Sequence, residues 1–188
     1  EQTKIRFSSL ADEFPNAPVT SFTIAQDQQG FIWLANQLDG LQRFDGYELE
    51  AFHLLKAAAS EELSISTVLV DDHDRLWVGT WGYGLVMLES NRQTQHHWQL
   101  AGSLAQPANG QIGNLDQIQA TYQDQQQRVW VGTTAGLYFI APDQQRRQLP
   151  STLHQLLEKV RIWQISQSTS GELWFGTSIG LLQVSADL

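Results

Sequence analysis

Cysteine is absent from the 188-residue sequence. Its absence excludes disulfide bonds, zinc sites with thiolate ligands and cysteine nucleophiles, but it leaves the redox compartment open. Basic residues are scarce as well, since 11 Lys and Arg stand against 20 Asp and Glu and give a formal net charge of −9. Such a field repels phosphate backbones, and the sequence contains no basic cluster that reverses it locally. Nucleic-acid binding is therefore excluded.

Long apolar runs are also missing. No stretch approaches the roughly 18 apolar residues that cross a membrane, and residues 1–30 lack the basic and apolar segments of a signal peptide. The chain as given is therefore expected to be soluble. Hydrophobic residues make up 41% of it and charged residues 16%, a balance that allows a buried core and excludes wholesale disorder.

The dominant feature of the sequence is an internal repeat. Four segments share one pattern, namely FIWLANQLDGL at 31–41, RLWVGTWGYGL at 75–85, RVWVGTTAGL at 128–137 and ELWFGTSIGL at 172–181. Their tryptophans are 44, 53 and 44 residues apart along the chain. These residues are Trp33, Trp77, Trp130 and Trp174.

Each repeat predicts four short β-strands. In the first repeat they are expected at 20–26, 31–36, 41–45 and 47–53, separated by the turn sequences QQG, QLDG and DG. Apolar residues alternate with polar ones instead of recurring at helical spacing, which favours strands. Four strands in a period of about 44 residues are typical of a β-propeller blade.

The predicted fold is therefore all-β, a β-propeller segment of about four four-stranded blades. The blades are expected at 19–53, 64–99, 117–149 and 160–188, and the last lacks its outer strand. Residues 4–10 are β-prone and are predicted to close the ring as an outer strand. We expect the segment to be part of a larger ring or to be completed by a homodimer, with a four-bladed monomer as the third alternative.

Two further segments interrupt the repeat. Residues 100–116, between the second and third blades, are predicted to form an extended loop. Residues 152–160 predict a short amphipathic helix, because four apolar residues fall at i, i+3, i+4 and i+7. These residues are Leu153, Leu156, Leu157 and Val160.

Structure alone explains most of the repeated positions. The tryptophan of each repeat is expected to fill the wedge between neighbouring blades. An aspartate six residues earlier is expected to accept backbone N–H bonds in the first turn, and the fourth repeat has Ser168 there. A glycine ends the turn into the third strand, where a positive φ or a close backbone approach suits Gly alone. The aspartates are Asp27, Asp71 and Asp124, and the glycines are Gly40, Gly84, Gly136 and Gly180.

At these positions the chain resembles the two-component regulator propeller family, whose repeat has the form D-x-x-G-x-[IL]-W-x-G-T-x-x-G-L. The first repeat fits this form at six positions and continues with an R-F-D-G stretch at 43–46. It departs at Ala35 and Asn36, where the other repeats carry Gly-Thr, and those repeats in turn lose the R-F-D-G stretch. The resemblance covers residues 19–185. The six positions are Asp27, Gly30, Ile32, Trp33, Gly40 and Leu41.

The resemblance implies a sensing domain. Propellers of this family form the extracytoplasmic, usually periplasmic, part of membrane-anchored signalling proteins, upstream of a hybrid histidine kinase or a diguanylate cyclase. The sequence contains no kinase histidine box and no GGDEF-like motif, so the output domain is expected outside this chain. No cofactor is implied. The expected partners are the downstream signalling domains and a small-molecule ligand; relatives are linked to carbohydrates, although no residue here indicates that class.

Residues that depart from the repeat are the candidates for ligand binding. Trp81 and Tyr83 add two aromatic rings to the turn after the second strand of the second blade. Rings at this place stack on a ligand or pack against a neighbouring loop. The equivalent turn of the first blade carries Asn36, Gln37 and Asp39, which either line the same face or serve as turn residues.

Trp163 is a candidate of another kind. It is expected on the innermost strand of the fourth blade, where it lines the central channel or packs in the core. Phe22, Ser66 and Gln119 occupy the same column in the other blades.

Catalysis and metal binding have little support in the sequence. Residues 71–74, Asp-Asp-His-Asp, resemble part of a calcium loop but lack the further oxygen ligands at fixed spacing. No nucleophile with its base, and no pair of acid–base carboxylates, stands in a persuasive context. A non-catalytic sensor without a metal is therefore expected, with a propeller-fold lyase or hydrolase and a passive interaction scaffold as the alternatives.

Overall fold

The computed structural model describes residues 9–15, 17, 20–36, 38, 40–54, 63–98, 117–147 and 149–185. Within these residues the chain forms four antiparallel sheets, and each repeat supplies one sheet. Three sheets have four strands, and the described part of the last has three. The predicted all-β fold, built from one blade per repeat, is confirmed.

The strands follow chain order across every blade. Blade 1 consists of β1 (Thr23–Gln26), β2 (Ile32–Ala35), β3 (Leu41–Phe44) and β4 (Leu49–Phe52). Blade 2 consists of β5 (Ile65–Val70), β6 (Leu76–Thr80), β7 (Leu85–Leu88) and β8 (Gln95–Trp98). Blade 3 consists of β9 (Ile118–Gln123), β10 (Val129–Thr133), β11 (Gly136–Ile140) and β12 (Arg146–Arg147). Blade 4 consists of β13 (Ile162–Gln167), β14 (Leu173–Thr177) and β15 (Gly180–Val184).

Two short helices accompany the blades. Helix α1 (Leu10–Glu13) precedes blade 1, and α2 (Ser151–Leu157) lies between blades 3 and 4, which confirms the helix predicted there. Leu153, Leu157 and Val160 join the apolar cluster between those blades. Leu156 is exposed instead, because residues at i, i+4 and i+7 already supply the stripe that faces the cluster. No helix in the described part of the chain is long and apolar enough to span a bilayer.

The predicted closing strand at 4–10 and the predicted loop at 100–116 lie largely or wholly outside the described residues. Of the strand, Ser9 and Leu10 are described, and Leu10 begins helix α1 instead of continuing an extended segment. The cause is local, because Ser9 Oγ accepts a hydrogen bond from the Ala11 N–H at 3.3 Å and so caps the helix.

The repeated tryptophans fill the wedges between blades. The inner strands contact one another in chain order, β1 with β5, β5 with β9 and β9 with β13. Trp33, Trp77 and Trp130 lie fully buried in the three apolar clusters between successive blades. Trp174 is only half-buried, because no blade follows blade 4 among the described residues. The role expected for the tryptophan is therefore confirmed in three blades.

The close approach of neighbouring blades depends on glycine. Gly79 in β6 and Gly132 in β10 each face the first residue of the next inner strand, Ile118 or Ile162. A methyl group added at Gly79 or Gly132 would lie 2.6 or 2.7 Å from the isoleucine Cγ2, closer than carbon atoms approach. At the equivalent Gly176 of blade 4, the nearest atom would be 3.6 Å away, an ordinary contact.

The repeated aspartates connect the first turn of a blade to its tryptophan. The Oδ1 atoms of Asp27, Asp71 and Asp124 accept N–H groups of their own turns, as the sequence predicts. Their Oδ2 atoms accept the indole N–H of the tryptophan six residues later, at 2.8, 2.8 and 2.6 Å. The pattern of the repeat did not predict this second bond, which orients the buried ring.

An arginine neutralises each of these carboxylates, but in blade 1 it comes from another blade. In blades 2 and 3 the residue four positions after the aspartate, Arg75 or Arg128, donates through Nε at 2.6 Å. In blade 1 that position is Phe31, and Arg92 of blade 2 approaches Asp27 Oδ2 at 3.1 Å instead. The missing cation of blade 1 is thus supplied by its neighbour.

Arg92 is therefore a clamp between blades 1 and 2. Its guanidinium also pairs with Asp74 at 3.2 Å and lies 5.6 Å from the centre of the Trp33 ring. Burial would raise the pKa of Asp27, but hydrogen bonds from Trp33, Arg92 and the Phe31 N–H outweigh burial and hold that pKa below its ordinary value. Because the folded-state pKa is lowered, Asp27 stabilises the fold above about pH 4 and loses that contribution as the pH falls through its folded pKa.

Arg92→Ala is expected to lower the free energy of unfolding by about 2–4 kcal/mol, because it leaves the buried Asp27 carboxylate without its cation. Arg147→Ala is the matched control, since Arg147 pairs with Asp143 at the surface and both side chains are more than half exposed. Its loss is expected to cost less than about 1 kcal/mol. Urea denaturation at neutral pH measures both variants, and equal losses would contradict the clamp.

The acid side of the stability curve tests the same pair independently. Between neutral pH and pH 3, the wild type is expected to lose more free energy of unfolding than Arg92→Ala, because the part of the lowering of the Asp27 pKa that Arg92 causes is present only in the wild type. Denaturation series at several pH values provide the comparison. Parallel curves for the two proteins would show that Asp27 and Arg92 are not coupled.

Gly132→Ala is expected to destabilise the protein by about 1–3 kcal/mol, because the new methyl group collides with Ile162. Gly176→Ala adds the same atom at the equivalent place in blade 4 and is expected to change stability by no more than about 0.5 kcal/mol. Thermal and chemical unfolding of the two variants measure the difference. A tolerated alanine at 132 would mean that the blades are not in such close contact.

Candidate functional site

The turn after the second strand of each blade lies at the same end of the segment as the start of the inner strands. The strand registers show this, since Ile65 pairs with Thr80 and Ile118 with Thr133. The Ile65 N–H also donates to the Asn36 carbonyl of blade 1 at 3.2 Å, which joins two blades at this end. We call this surface the turn face; it comprises residues 20–22, 36, 38, 40, 63–66, 81–84, 117–119, 134–135, 161–163 and 178–179.

The turn face carries half of the exposed large apolar side chains of the described residues, five of ten. The turns at the opposite end carry one, Tyr47. Exposed apolar groups that gather on one surface indicate a place of contact with a ligand or a partner. The five side chains of the turn face are Phe22, Leu38, Trp81, Trp163 and Ile179.

Trp81 and Tyr83 both lie on the turn face but differ in exposure. The Trp81 N–H donates to the Ser64 carbonyl at 2.9 Å, and its backbone bridges to Gln117 of blade 3, while its side chain is 37% exposed. Tyr83 is half-buried and packs against the apolar cluster between blades 1 and 2. The structure thus holds Trp81 by its backbone and leaves its ring accessible, whereas Tyr83 supports the turn.

The polar candidates of blade 1 give a different result. Asn36 is buried, and its Oδ1 accepts the Leu38 N–H at 2.7 Å, so it serves its own turn. This is one of the two roles that the sequence left open for it. Gln37 and Asp39 lie outside the described residues.

Trp163 occupies a β-bulge at the start of blade 4. The register of β13 against β14 shifts between Ile162 and Gln164, which leaves Trp163 as the extra residue. Its side chain is 51% exposed, as is that of Phe22 in the same column of blade 1. Core packing, one of the two roles considered for Trp163, is therefore wrong: the bulge turns the ring out of the blade contact that Ile162 makes. In blade 2 the same column holds Ser66, which is buried.

The carboxylates of the repeated aspartates are engaged at the opposite end of the segment. Asp27, Asp71 and Asp124 lie there, and tryptophan and arginine side chains use their oxygens. Among the residues that the structure describes, no group of three or more His, Asp or Glu side chains is placed to hold a metal ion. The turn face is therefore the candidate recognition surface.

Comparison with known sequences identifies the repeat. The family model "Two component regulator propeller" matches residues 113–135, which include β9 and β10 of blade 3 with the repeated Trp130. A search of curated proteins finds no match.

Comparison with solved structures identifies the fold. The chain is similar to the extracellular domains of two hybrid two component systems from B. thetaiotaomicron, BT3049 and BT4673, each at a TM-score of 0.66 and 20% identity over 92% and 88% of this chain. It spans about a fifth of those chains, 22% and 20%. It is also similar to virginiamycin B lyase from Staphylococcus aureus, at a TM-score of 0.59 and 13% identity over 93% of this chain and 58% of that chain. At these identities the similarity shows the fold alone.

Repeat and fold agree with each other. The matched segment lies in a blade whose tryptophan, aspartate and glycine positions recur with the same geometry in blades 1 and 2. The family model thus matches one repeat of this chain, the repeat of blade 3, in agreement with the resemblance that the sequence carries.

Proposed function

We propose that the chain is the extracytoplasmic sensing domain of a membrane-anchored signalling receptor and that it recognises its stimulus without catalysis. The family match supports this class, and similar structures are extracellular domains of hybrid two component systems. On this proposal the domain lies in the periplasm. Its output domain, a kinase or a cyclase, belongs to the same receptor outside these residues.

The observation that carries the proposal is the gathering of exposed aromatic side chains on the turn face. Trp81 is 37% exposed and Trp163 is 51% exposed. Covering an exposed apolar surface with a ligand or a partner contributes about 25 cal/mol of binding free energy per Å² of buried area. A β-bulge and an inter-blade backbone bridge hold the two residues, so little ordering is required on binding. On this proposal the face binds a ring or an apolar side chain with little loss of conformational entropy.

The surroundings of these rings limit the chemistry of the ligand. The net charge of −9 repels anions, and apart from the exposed Arg161 the described residues of the turn face are uncharged, with hydroxyl and amide groups such as those of Ser178, Thr134 and Gln119. A neutral small molecule with an apolar face, or the aromatic edge of a partner domain, fits this combination. The carbohydrate class that the resemblance implies is one such ligand.

The two alternatives make different demands on the turn face. A lyase or hydrolase needs acid–base side chains that converge on one point, and similarity to virginiamycin B lyase concerns the fold alone. A passive scaffold needs a broad apolar contact with one protein and no response to small molecules. Small-molecule binding at Trp81 and Trp163 separates the sensor from the scaffold, and release of the bound molecule without chemical change separates it from the enzyme.

Thermal-shift screening of the chain against neutral saccharides, nucleosides and short peptides is expected to find compounds that raise the melting temperature, because a ligand of the folded state stabilises it by mass action. The double variant Trp81→Ala/Trp163→Ala is expected to lose that shift and to keep its unliganded melting temperature within a few degrees, since both side chains are exposed.

Tyr47→Ala is the matched control, because Tyr47 is an exposed aromatic residue at the opposite end. It is expected to keep the full ligand-induced shift. A shift that survives in the double variant, or one that Tyr47→Ala abolishes, would place recognition elsewhere. In the full receptor, the double variant is expected to lose its stimulus-dependent output while its basal output persists.

A further inference from the structure

Blade 4 exposes the face that each earlier blade buries against the next one. Leu181 lies at the start of the third strand of blade 4, as Leu85 and Leu137 do in blades 2 and 3. Leu181 is 68% exposed, whereas Leu85 and Leu137 are 0% and 6% exposed. Trp174 is half-buried where Trp130 is fully buried. We call the surface formed by Thr169, Trp174, Gly176 and Leu181 the blade-4 face.

In each contact between successive blades, one isoleucine of the following blade packs at the glycine position of the preceding blade. Ile118 and Ile162, the first residues of β9 and β13, lie against Gly79 and Gly132 of the preceding blade. Ile65, the first residue of β5, shares the cluster between blades 1 and 2 with Ala35, which stands in the glycine position. Gly176 leaves the same socket open, because an added Cβ would meet nothing there except its own β13.

A hydrogen bond accompanies this apolar contact in two of the three interfaces. The Asp72 N–H of blade 2 donates to Gln123 Oε1 of blade 3, and the Gln125 N–H of blade 3 donates to Gln167 Oε1 of blade 4, both at 2.9 Å. The glutamine follows the isoleucine by five residues in each case. The corresponding donor of blade 4 is the Thr169 N–H, which has no acceptor among the described residues.

The tryptophan of blade 4 also lacks the bond that its counterparts have. Ser168 replaces the repeated aspartate, and its hydroxyl pairs with Glu172 Oε2 at 2.6 Å. No aspartate therefore accepts the Trp174 indole N–H, the Glu172 carboxylate is bonded by serine hydroxyls instead, and the described residues offer the indole no other acceptor. The blade-4 face thus combines an apolar socket with two unused donors, and one of them, the Thr169 N–H, stands where the Asp72 and Gln125 N–H groups donate to the next blade.

We propose that the blade-4 face binds a further propeller blade whose inner strand begins with a β-branched aliphatic residue and carries a glutamine five residues later. The β-branched residue enters the socket at Gly176, and the glutamine oxygen accepts the Thr169 N–H. This inference rests on the contacts between blades and not on the proposed sensing function.

Blade 1 of a second copy meets these requirements only in part. Gln26 stands at the glutamine position, and Ile24, 67% exposed, stands where Val68 and Ile165 are buried. Ser21, however, occupies the position of the isoleucine. Its side chain leaves most of the socket empty and brings a hydroxyl into an apolar contact, and both effects oppose binding. The homodimer that the sequence allowed is therefore disfavoured, and the occupant is a different blade.

The Ser21→Ile variant tests this socket, because blade 1 of one copy then presents an isoleucine to the blade-4 face of another copy. Sedimentation equilibrium of wild type and variant compares their self-association over a wide concentration range. The variant is expected to associate head to tail about tenfold or more tightly than the wild type, because it supplies the missing isoleucine. Circular dichroism and the unfolding midpoint establish that each variant is folded.

Two further proteins make the test specific for the socket. Ser21→Ala adds no β-branched side chain and is expected to associate no more tightly than the wild type. Ser21→Ile/Gly176→Val fills the socket from its own side and is expected to lose the gain. The proposal is overturned if Ser21→Ile gains no affinity, if the gain persists in Ser21→Ile/Gly176→Val, or if the wild type already associates as tightly, which would make the second copy the occupant.

Discussion

The close approach of an isoleucine to a small residue across each blade boundary, glycine at two boundaries and Ala35 at the first, is the contact on which the rest of the structure depends. Ile118 on Gly79 and Ile162 on Gly132 set how near two sheets can lie. At that distance the tryptophan of the earlier blade fills the remaining wedge, and its indole N–H reaches the aspartate that closes the first turn. Stability therefore arises from contacts between successive blades, as in other repeat proteins.

The same spacing positions the turn face. Because the inner strands lie side by side and start at one end, the turns of neighbouring blades come within hydrogen-bond distance there. Trp81 gains its backbone bridge to Gln117 from this arrangement, and the bulge that lets Ile162 enter its socket leaves Trp163 outside. The positions of both aromatic candidates are thus consequences of blade packing, because Trp163 lies on β13 and Trp81 is held by its backbone bridge to blade 3. Recognition by side chains held in this way needs little conformational ordering.

The fold could be predicted from the sequence because its determinants are local and repeated. The tryptophan spacing, the alternating strands and the leucine stripe of α2 all lie within one repeat or one helix. Arg92 could not be predicted as the partner of Asp27, because 65 residues separate them and the pattern contains no arginine at that place. The sequence does show that Asp27 lacks a cation in its own turn, since Phe31 replaces the arginine that blades 2 and 3 carry four residues after the aspartate.

The candidate site was predictable only in part, for a related reason. Departures from the repeat pointed to Trp81 and Trp163, but exposure depends on the register of two strands and on the neighbouring blade. Tyr83 and Trp81 are two residues apart in one turn, yet one packs inward and the other faces outward. Sequence spacing alone does not distinguish these outcomes, because both residues lie in irregular backbone between strands.

The exchange of the tryptophan indole N–H protons with solvent, followed by nuclear magnetic resonance, tests this account most directly. Bonds to buried aspartates predict slow exchange for Trp33, Trp77 and Trp130. An open blade-4 face and an exposed turn face predict fast exchange for Trp174, Trp81 and Trp163. A Trp174 indole as protected as that of Trp130, or protected indoles at 81 and 163, would contradict both the open blade and the recognition surface.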